Sequence, residues 1–287
     1  IAGACRSGKT SISTLLASSK YVENAEEPWL LKIIPLVRSL KMIDAKISKE
    51  LVLNYINEIM NDTILLRNTS FRPSDLSYVR YYKDSTEINK RLQKMKTRDD
   101  VQKNIKKNKS MLILNLTEIT SSLNFFLNTI PKVKVVYLIR NPLYVAHDCY
   151  TKGWFANNQL LKPKKSLPYI KFTKNKKIWF LPWWVKTGDE NFFINLSHFN
   201  RCLYYWIQNE ILAKKQLQDL IKQKKCKIIK FENLINNPKK IYNQLSKFLD
   251  INPTNITRNI LMDLKSRKKI KINFDQLDID HNILKKM

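Results

Sequence analysis

At 287 residues, 44% of them hydrophobic and 10% aromatic, the chain has the length and material for one large α/β domain or two small ones, which excludes a disordered or fibrous protein. No apolar run approaches the ~20 residues of a membrane span, and Cys5, Cys149, Cys202 and Cys226 lie far apart without a C-x-x-C pair, which excludes a zinc-ribbon pattern or a dense disulfide framework. The net charge of +28 fits a polyanionic partner, but lysine, isoleucine and asparagine abound throughout, as an AT-rich genome produces, so the charge is read first as composition.

The chain opens on Gly3-Ala4-Cys5-Arg6-Ser7-Gly8-Lys9-Thr10, a full match to G-x-x-x-x-G-K-[ST]. Such a loop leaves a strand and wraps an oxyanion in successive backbone N–H groups, and the helix that follows adds the positive end of its dipole. Gly3, Arg6, Ser7, Gly8, Lys9, Thr10 and Ser11 are therefore candidate ligand-binding residues. Only Ile1 and Ala2 precede the loop, so most of its strand is expected upstream, where a signal or anchor would also lie. A cytoplasmic location is the expectation for the chain itself.

Apolar residues at Ile12, Leu15 and Leu16 predict a helix after the loop. Residues 21–29 read as a short polar connection ending in the acidic pair Glu26-Glu27. Residues 43–59 have a helical period, and residues 70–110 are charge-dense helical connections. The run at 111–116 reads as a buried parallel strand, 119–129 as a helix closed by Pro131, and 133–139 as a second β-branched strand, with helix from Val145. Residues 151–200 break this alternation with Trp154, Phe155, Trp179, Phe180, Trp183 and Trp184, and read as a lid or substrate-binding insertion or as an irregular packed segment. A long helix over 198–223, with Leu203, Trp206, Ile207, Ile211 and Leu212 as its buried stripe, a strand at 226–231 and an amphipathic helix at 239–249 complete the pattern. Alternating strands and helices predict a three-layer α/β/α architecture with a central parallel sheet, of the P-loop NTPase kind, in a single domain over 1–287.

Three segments in this order carry a family resemblance. Cys5-Arg6-Ser7-Gly8 is similar to the P-R-S-G-T-T loop of sulfotransferases that use 3′-phosphoadenosine-5′-phosphosulfate (PAPS). The segment from Val135 to Ala146, with Arg140-Asn141-Pro142 at its centre, resembles that family's strand–R-x-P-x-x-V-A element. Ile228-Ile229-Lys230-Phe231-Glu232-Asn233-Leu234, with Pro238 and Phe248-Leu249 after it, resembles the Y-E-D-L…P…F-L-G segment. The resemblance implies that the loop takes the 5′-phosphosulfate and that Arg140 clamps the 3′-phosphate, bidentately if geometry allows. Such a clamp suits the crevice at the carboxyl end of a strand. Arg267 and Lys268, with Lys269, match a basic loop that closes over the same phosphate in some members. Two departures stand out: Asp148 occupies the place of a phosphate-binding serine, and Lys9 that of a threonine.

The implied reaction moves a sulfuryl group from PAPS to an acceptor hydroxyl on a carbohydrate, a protein tyrosine or a small molecule. It needs a base, cations along the leaving oxygen and exclusion of water, and in principle no metal. Arg6 and Lys9 would stabilise the leaving phosphate. Glu27 is the first candidate base, with Glu26 and His147 as alternatives. A possible anionic polymer is among the acceptors; no specific nucleic-acid partner and no membrane span are expected. The competing readings are a P-loop kinase or NTPase using Mg-ATP, which would need an acidic residue after an apolar strand, and a non-catalytic polyanion-binding protein.

Overall fold

Five short segments pair as parallel strands, and their side chains alternate between two cores. In the computed structural model, which describes residues 1–117, 119–130, 132–163, 169–266, 272, 279–280 and 283 apart from the side chain of Ser121, β1 (Ala2–Gly3) leads through the loop into α1 (Lys9–Ala17) and β2 (Val22–Glu26). Helices α2 (Leu30–Ser39), α3 (Ala45–Ile64), α4 (Val79–Tyr82), α5 (Ser85–Lys94) and α6 (Arg98–Asn108) precede β3 (Met111–Asn115). A 3₁₀ turn and α7 (Leu123–Thr129) lead to β4 (Val135–Ile139) and α8 (Pro142–Thr151). Next come α9 (Asn157–Leu160), the hairpin strands β5 (Tyr169–Lys174) and β6 (Lys177–Pro182), and α10 (Glu190–Asn195). The chain then runs through α11 (His198–Lys222), β7 (Cys226–Lys230), α12 (Phe231–Asn236), α13 (Pro238–Leu249) and α14 (Asn255–Ser266).

β1, β4 and β7 form one parallel sheet and β2 with β3 another. Ile1 joins them: its N–H donates to Leu114 O at 2.7 Å and its carbonyl accepts from Leu116 N–H at 3.0 Å. The order is therefore β2-β3-β1-β4-β7, with β1 in the middle. The chain runs outward on one side of β1 and later crosses to the other. That reversal opens a crevice beyond the carboxyl ends of the central strands, the place where open α/β sheets bind ligands.

Strand periodicity then fixes the layers. Val136, Leu138, Ile113 and Ile229 pack with Ile12, Leu15 and Leu16 of α1 and with α13 and α14. Ala2, Val135, Tyr137 and Cys226 face Leu31, Val52, Phe126 and Leu217 of α2, α3, α7 and α11. Each fully buried leucine in these layers contributes about 1.5–3 kcal/mol. The three-layer α/β architecture with a central parallel sheet is the one the sequence predicts. No helix among the described residues is long and apolar enough to cross a membrane.

Three expectations change. The polar connection at 21–29 contains β2, whose Val22, Glu23, Asn24 and Ala25 are all buried. Its polarity is internal: Arg91 donates to both oxygens of Glu23 at 2.8 and 2.7 Å, and Lys83 lies 3.6 Å away. On α11, Leu203 and Ile207 are buried as expected, but Ile211 is exposed and the buried face continues through Ala213, Leu217 and Leu220. Residues 151–200 are ordered around an antiparallel hairpin and a third core of Phe155, Trp184, Phe193 and Tyr205. The buried Arg201 guanidinium ties this region to α11, donating to the carbonyls of Phe193, Phe155 and Ile194 and to Asn157 Oδ1. Pro131 lies outside the described residues.

Candidate active site

The loop between β1 and α1 has the backbone that its glycines permit. Gly8 caps α1 in the left-handed region at φ 94°, and Arg6 is also left-handed at φ 64°. A Cβ on Gly8 would lie 2.2 Å from Cδ2 of Phe231, and one on Gly3 2.4 Å from Leu138 O. The loop is therefore pressed between the carboxyl ends of β4 and β7. Lys9 is buried within it, its ammonium donating to Ala4 O at 2.6 Å and Gly3 O at 3.2 Å. Ser7 is 1% exposed, and its Oγ has no hydrogen-bond partner.

Across the crevice, Arg140 leaves the end of β4. Asn141 caps α8 by accepting from Leu143 N–H at 2.9 Å, and Pro142 occupies the first turn, where a missing N–H costs nothing. This abrupt start sets Asp148, two turns on, back over the arginine. Nη1 of Arg140 donates to Asp148 Oδ2 at 2.7 Å and to Arg6 O at 2.7 Å. Arg6 Nε is 3.9 Å from the same carboxylate oxygen. The Arg140 guanidinium also lies over the Phe231 ring, 5.1 Å from its centroid. Asp148 thus holds both arginines at the loop rather than standing apart as a repulsive charge.

A cavity of about 600 Å³ joins these groups, within the range of about 300–1,000 Å³ usual for small-molecule sites. Arg6, Gly8, Lys9, Thr10, Ser11, Glu27, Arg140 and Asp148, all anticipated from the sequence, line it. Gly3 and Ser7 lie behind this lining. Lys32, Asn115, Thr117 and Phe231 line it too and were not anticipated as site residues, and Trp154 and Phe155 of the aromatic region line it as well. The signal for Asn115 was available, since it ends a predicted central strand. Trp154 and Phe155 come from the aromatic region after α8.

The acidic pair divides its roles. Glu27, at φ 45°, is exposed at the rim. Glu26 turns inward: its Oε1 accepts from Thr10 Oγ1 and Asn115 Nδ2, each at 2.7 Å. Behind Glu26 is a smaller polar cavity of about 270 Å³, lined also by Asn24, Asn68 and Ser77. Asn24 Oδ1 and Asn115 Oδ1 are buried without partners. His147 is half-buried on α8 and does not line the main cavity; its Nδ1 has no partner. Arg267, Lys268 and Lys269 lie outside the described residues. Among the described residues no group of three or more His, Cys, Asp or Glu is placed to hold a metal ion.

No family model matches the chain, and no curated protein matches it. Among solved structures it is similar to a sulfotransferase domain from the curacin biosynthetic pathway. That likeness has 15% identity and a TM-score of 0.44, and covers 99% of this chain and 84% of the other. It is also similar to the sulfotransferase STF9 from Mycobacterium avium, at 12% identity and a TM-score of 0.43 over 94% of this chain and 69% of that one. Both are likenesses of fold.

Proposed function

We propose that the chain is a sulfotransferase that takes PAPS as donor and a hydroxyl group as acceptor. The observation that carries this reading is the pairing of two anion holders across one crevice: the loop at 3–10 after β1, and Arg140 after the neighbouring β4. A donor with separate 3′ and 5′ anionic groups needs two such holders. The residues present fit it. Ser7 offers a buried hydroxyl with no partner, and Gly8, where any Cβ would collide with the Phe231 ring, keeps the loop backbone bare of a side chain.

The loop N–H groups, Ser7, Lys9, Thr10 and Ser11 would hold the 5′ end, and Arg140 the 3′-phosphate, with Asp148 keeping Arg140 and Arg6 in place. When bound, PAPS supplies the sulfuryl group and a phosphate leaving group. Lys9 and Arg6 offset negative charge at the loop, where positioned cations act most strongly in a water-poor site. Glu27, on the cavity rim, takes the proton of the acceptor hydroxyl, while Glu26 orients Thr10 from behind. Trp154 and Phe155 line the cavity, and the 151–200 region selects the acceptor.

One observation favours a second reading. The Thr10 hydroxyl against the Glu26 carboxylate is the pairing by which P-loop kinases seat a magnesium ion. Calorimetry separates the two. The sulfotransferase reading expects tight binding of adenosine 3′,5′-bisphosphate without magnesium and weak binding of Mg-ATP. Tight Mg-ATP binding with no bisphosphate binding would overturn it.

A further inference from the structure

A second cavity lies away from the crevice, in a groove of about 830 Å³ between α13, α14 and the α12–α13 junction. Lys239, Lys240, Lys247, Arg258 and Lys265 line it, and no carboxylate does. Five of its twelve lining residues are cationic, against 52 Lys and Arg in 287 residues overall, so composition alone does not account for the concentration. Among the described residues none of the five side chains forms an ion pair or hydrogen bond. All five are exposed to solvent.

The arrangement is regular. Lys240 and Lys247 are seven residues apart on α13, as are Arg258 and Lys265 on α14. At 1.5 Å per residue, each pair spans about 10 Å along its helix. Between the charges stand the amides of Asn243 and Gln244 on one wall, and Leu261 and Met262 on the other. The groove is therefore two cationic rails with hydrogen-bonding and apolar surface between them.

We infer that this groove is a second binding site, for a linear anionic polysaccharide carrying sulfate or carboxylate groups. The cations match a chain with repeated negative charge, and the side-chain amides match sugar hydroxyls. No aromatic residue lines the groove, so it lacks the stacking platform of single-stranded nucleic-acid sites. Its concavity admits a chain where a flat membrane surface would touch only the rim. The inference is independent of the sulfotransferase reading, since it concerns neither the loop nor Arg140.

The test is fluorescence anisotropy with labelled dextran sulfate, against uncharged dextran of the same length, at several salt concentrations. A groove variant (K240E/K247E/R258E/K265E) is compared with a control of equal charge change on α5 and α6 (K94E/K103E/K106E/K107E). Binding that weakens with salt, absent for plain dextran, and reduced about tenfold or more in the groove variant but within about threefold in the control, is expected. Equal losses in both variants would reduce the effect to net charge and overturn the site. Absence of dextran sulfate binding would overturn it, and tighter groove-dependent binding of an oligonucleotide or of phosphatidylserine vesicles would overturn the assigned occupant. Should the glutamate variant fail to fold by circular dichroism, the glutamine version at the same four positions carries the same expectation.

Discussion

Arg140 shows how one side chain acquires a direction. Its own rotamers would let it range over the crevice mouth, but Asp148, Arg6 O and the Phe231 ring hold it from three sides. Replacing Arg140 with Ala is expected to weaken adenosine bisphosphate binding about tenfold or more, as loss of a charged hydrogen-bond pair does. Asp148→Asn keeps an acceptor for Arg140 while removing a negative charge from the site, so affinity is expected to stay within about threefold or tighten. Calorimetry on the pair checks both, and a tenfold loss in the Asn variant would mean that Asp148 does more than hold the arginine. Glu210 makes a different residue-scale prediction. Burial behind the sheet pushes its carboxyl up to about 7, though Tyr137 O–H donates to it at 3.0 Å. The folded state therefore binds a proton that the unfolded chain releases near the ordinary carboxylate value, about 4.3. Stability should fall as pH rises from about 4 to about 7 and then level off, by on the order of 3–4 kcal/mol for this group. Glu210→Gln keeps an acceptor for Tyr137 and should flatten that slope in denaturant titrations across this pH range. An unchanged slope would remove Glu210 as its source.

At the scale of elements, β2 marks where the sequence was and was not legible. Strands β3 and β4 announce themselves by apolar runs, as in Val135-Val136-Tyr137-Leu138-Ile139, which is buried on both faces. β2 reads Val-Glu-Asn-Ala-Glu because its polar side chains find partners inside the protein: Glu23 meets Lys83 and Arg91, 60 or more residues further on, and Glu26 meets Thr10 and Asn115. Its absence from the predicted elements hid the direction of Glu26, which turns inward by strand alternation with Asn24. The loop and Arg140 were legible because each is a local signal, a glycine spacing and a strand-end arginine before Asn-Pro. Asp148 was legible as a position but not as a role, since its charge appears hostile to phosphate until α8 is seen to return it to Arg140. The β2 network is itself testable. Arg91→Met leaves the buried Glu23 with Lys83 alone and should cost about 3 kcal/mol in chemical denaturation at neutral pH. Arg91 and Lys83 hold the Glu23 carboxyl below its ordinary value against the opposing effect of burial. That stabilisation exists above the unfolded carboxylate pKa and is lost as pH falls through the folded one. The gap between Arg91→Met and the parent should therefore narrow toward pH 3, and a gap that is constant with pH would contradict the ionic origin.

At the scale of the whole molecule, the strand order places three ligand-facing segments on one crevice although they are far apart in the chain. The loop at 3–10 follows β1, Asn115 ends β3 and Thr117 follows it, and Arg140 follows β4, and these three strands are neighbours in the sheet. A ligand that spans the crevice must touch both sides of β1, whereas one held by the loop and a magnesium ion would lie toward β2 and β3. Hydrogen exchange distinguishes the two geometries without any assay of catalysis. Adenosine 3′,5′-bisphosphate is expected to slow exchange together at residues 3–11 and at the start of α8. At a hundredfold excess over its dissociation constant it should add about 2.7 kcal/mol to stability. Protection at α8 should disappear in Arg140→Ala while that of the loop persists in part, because the loop N–H groups remain. Protection confined to residues 3–11 and the end of β2 in the parent protein would instead place the bound anion wholly on the Thr10–Glu26 side, leaving Arg140 to Asp148 alone.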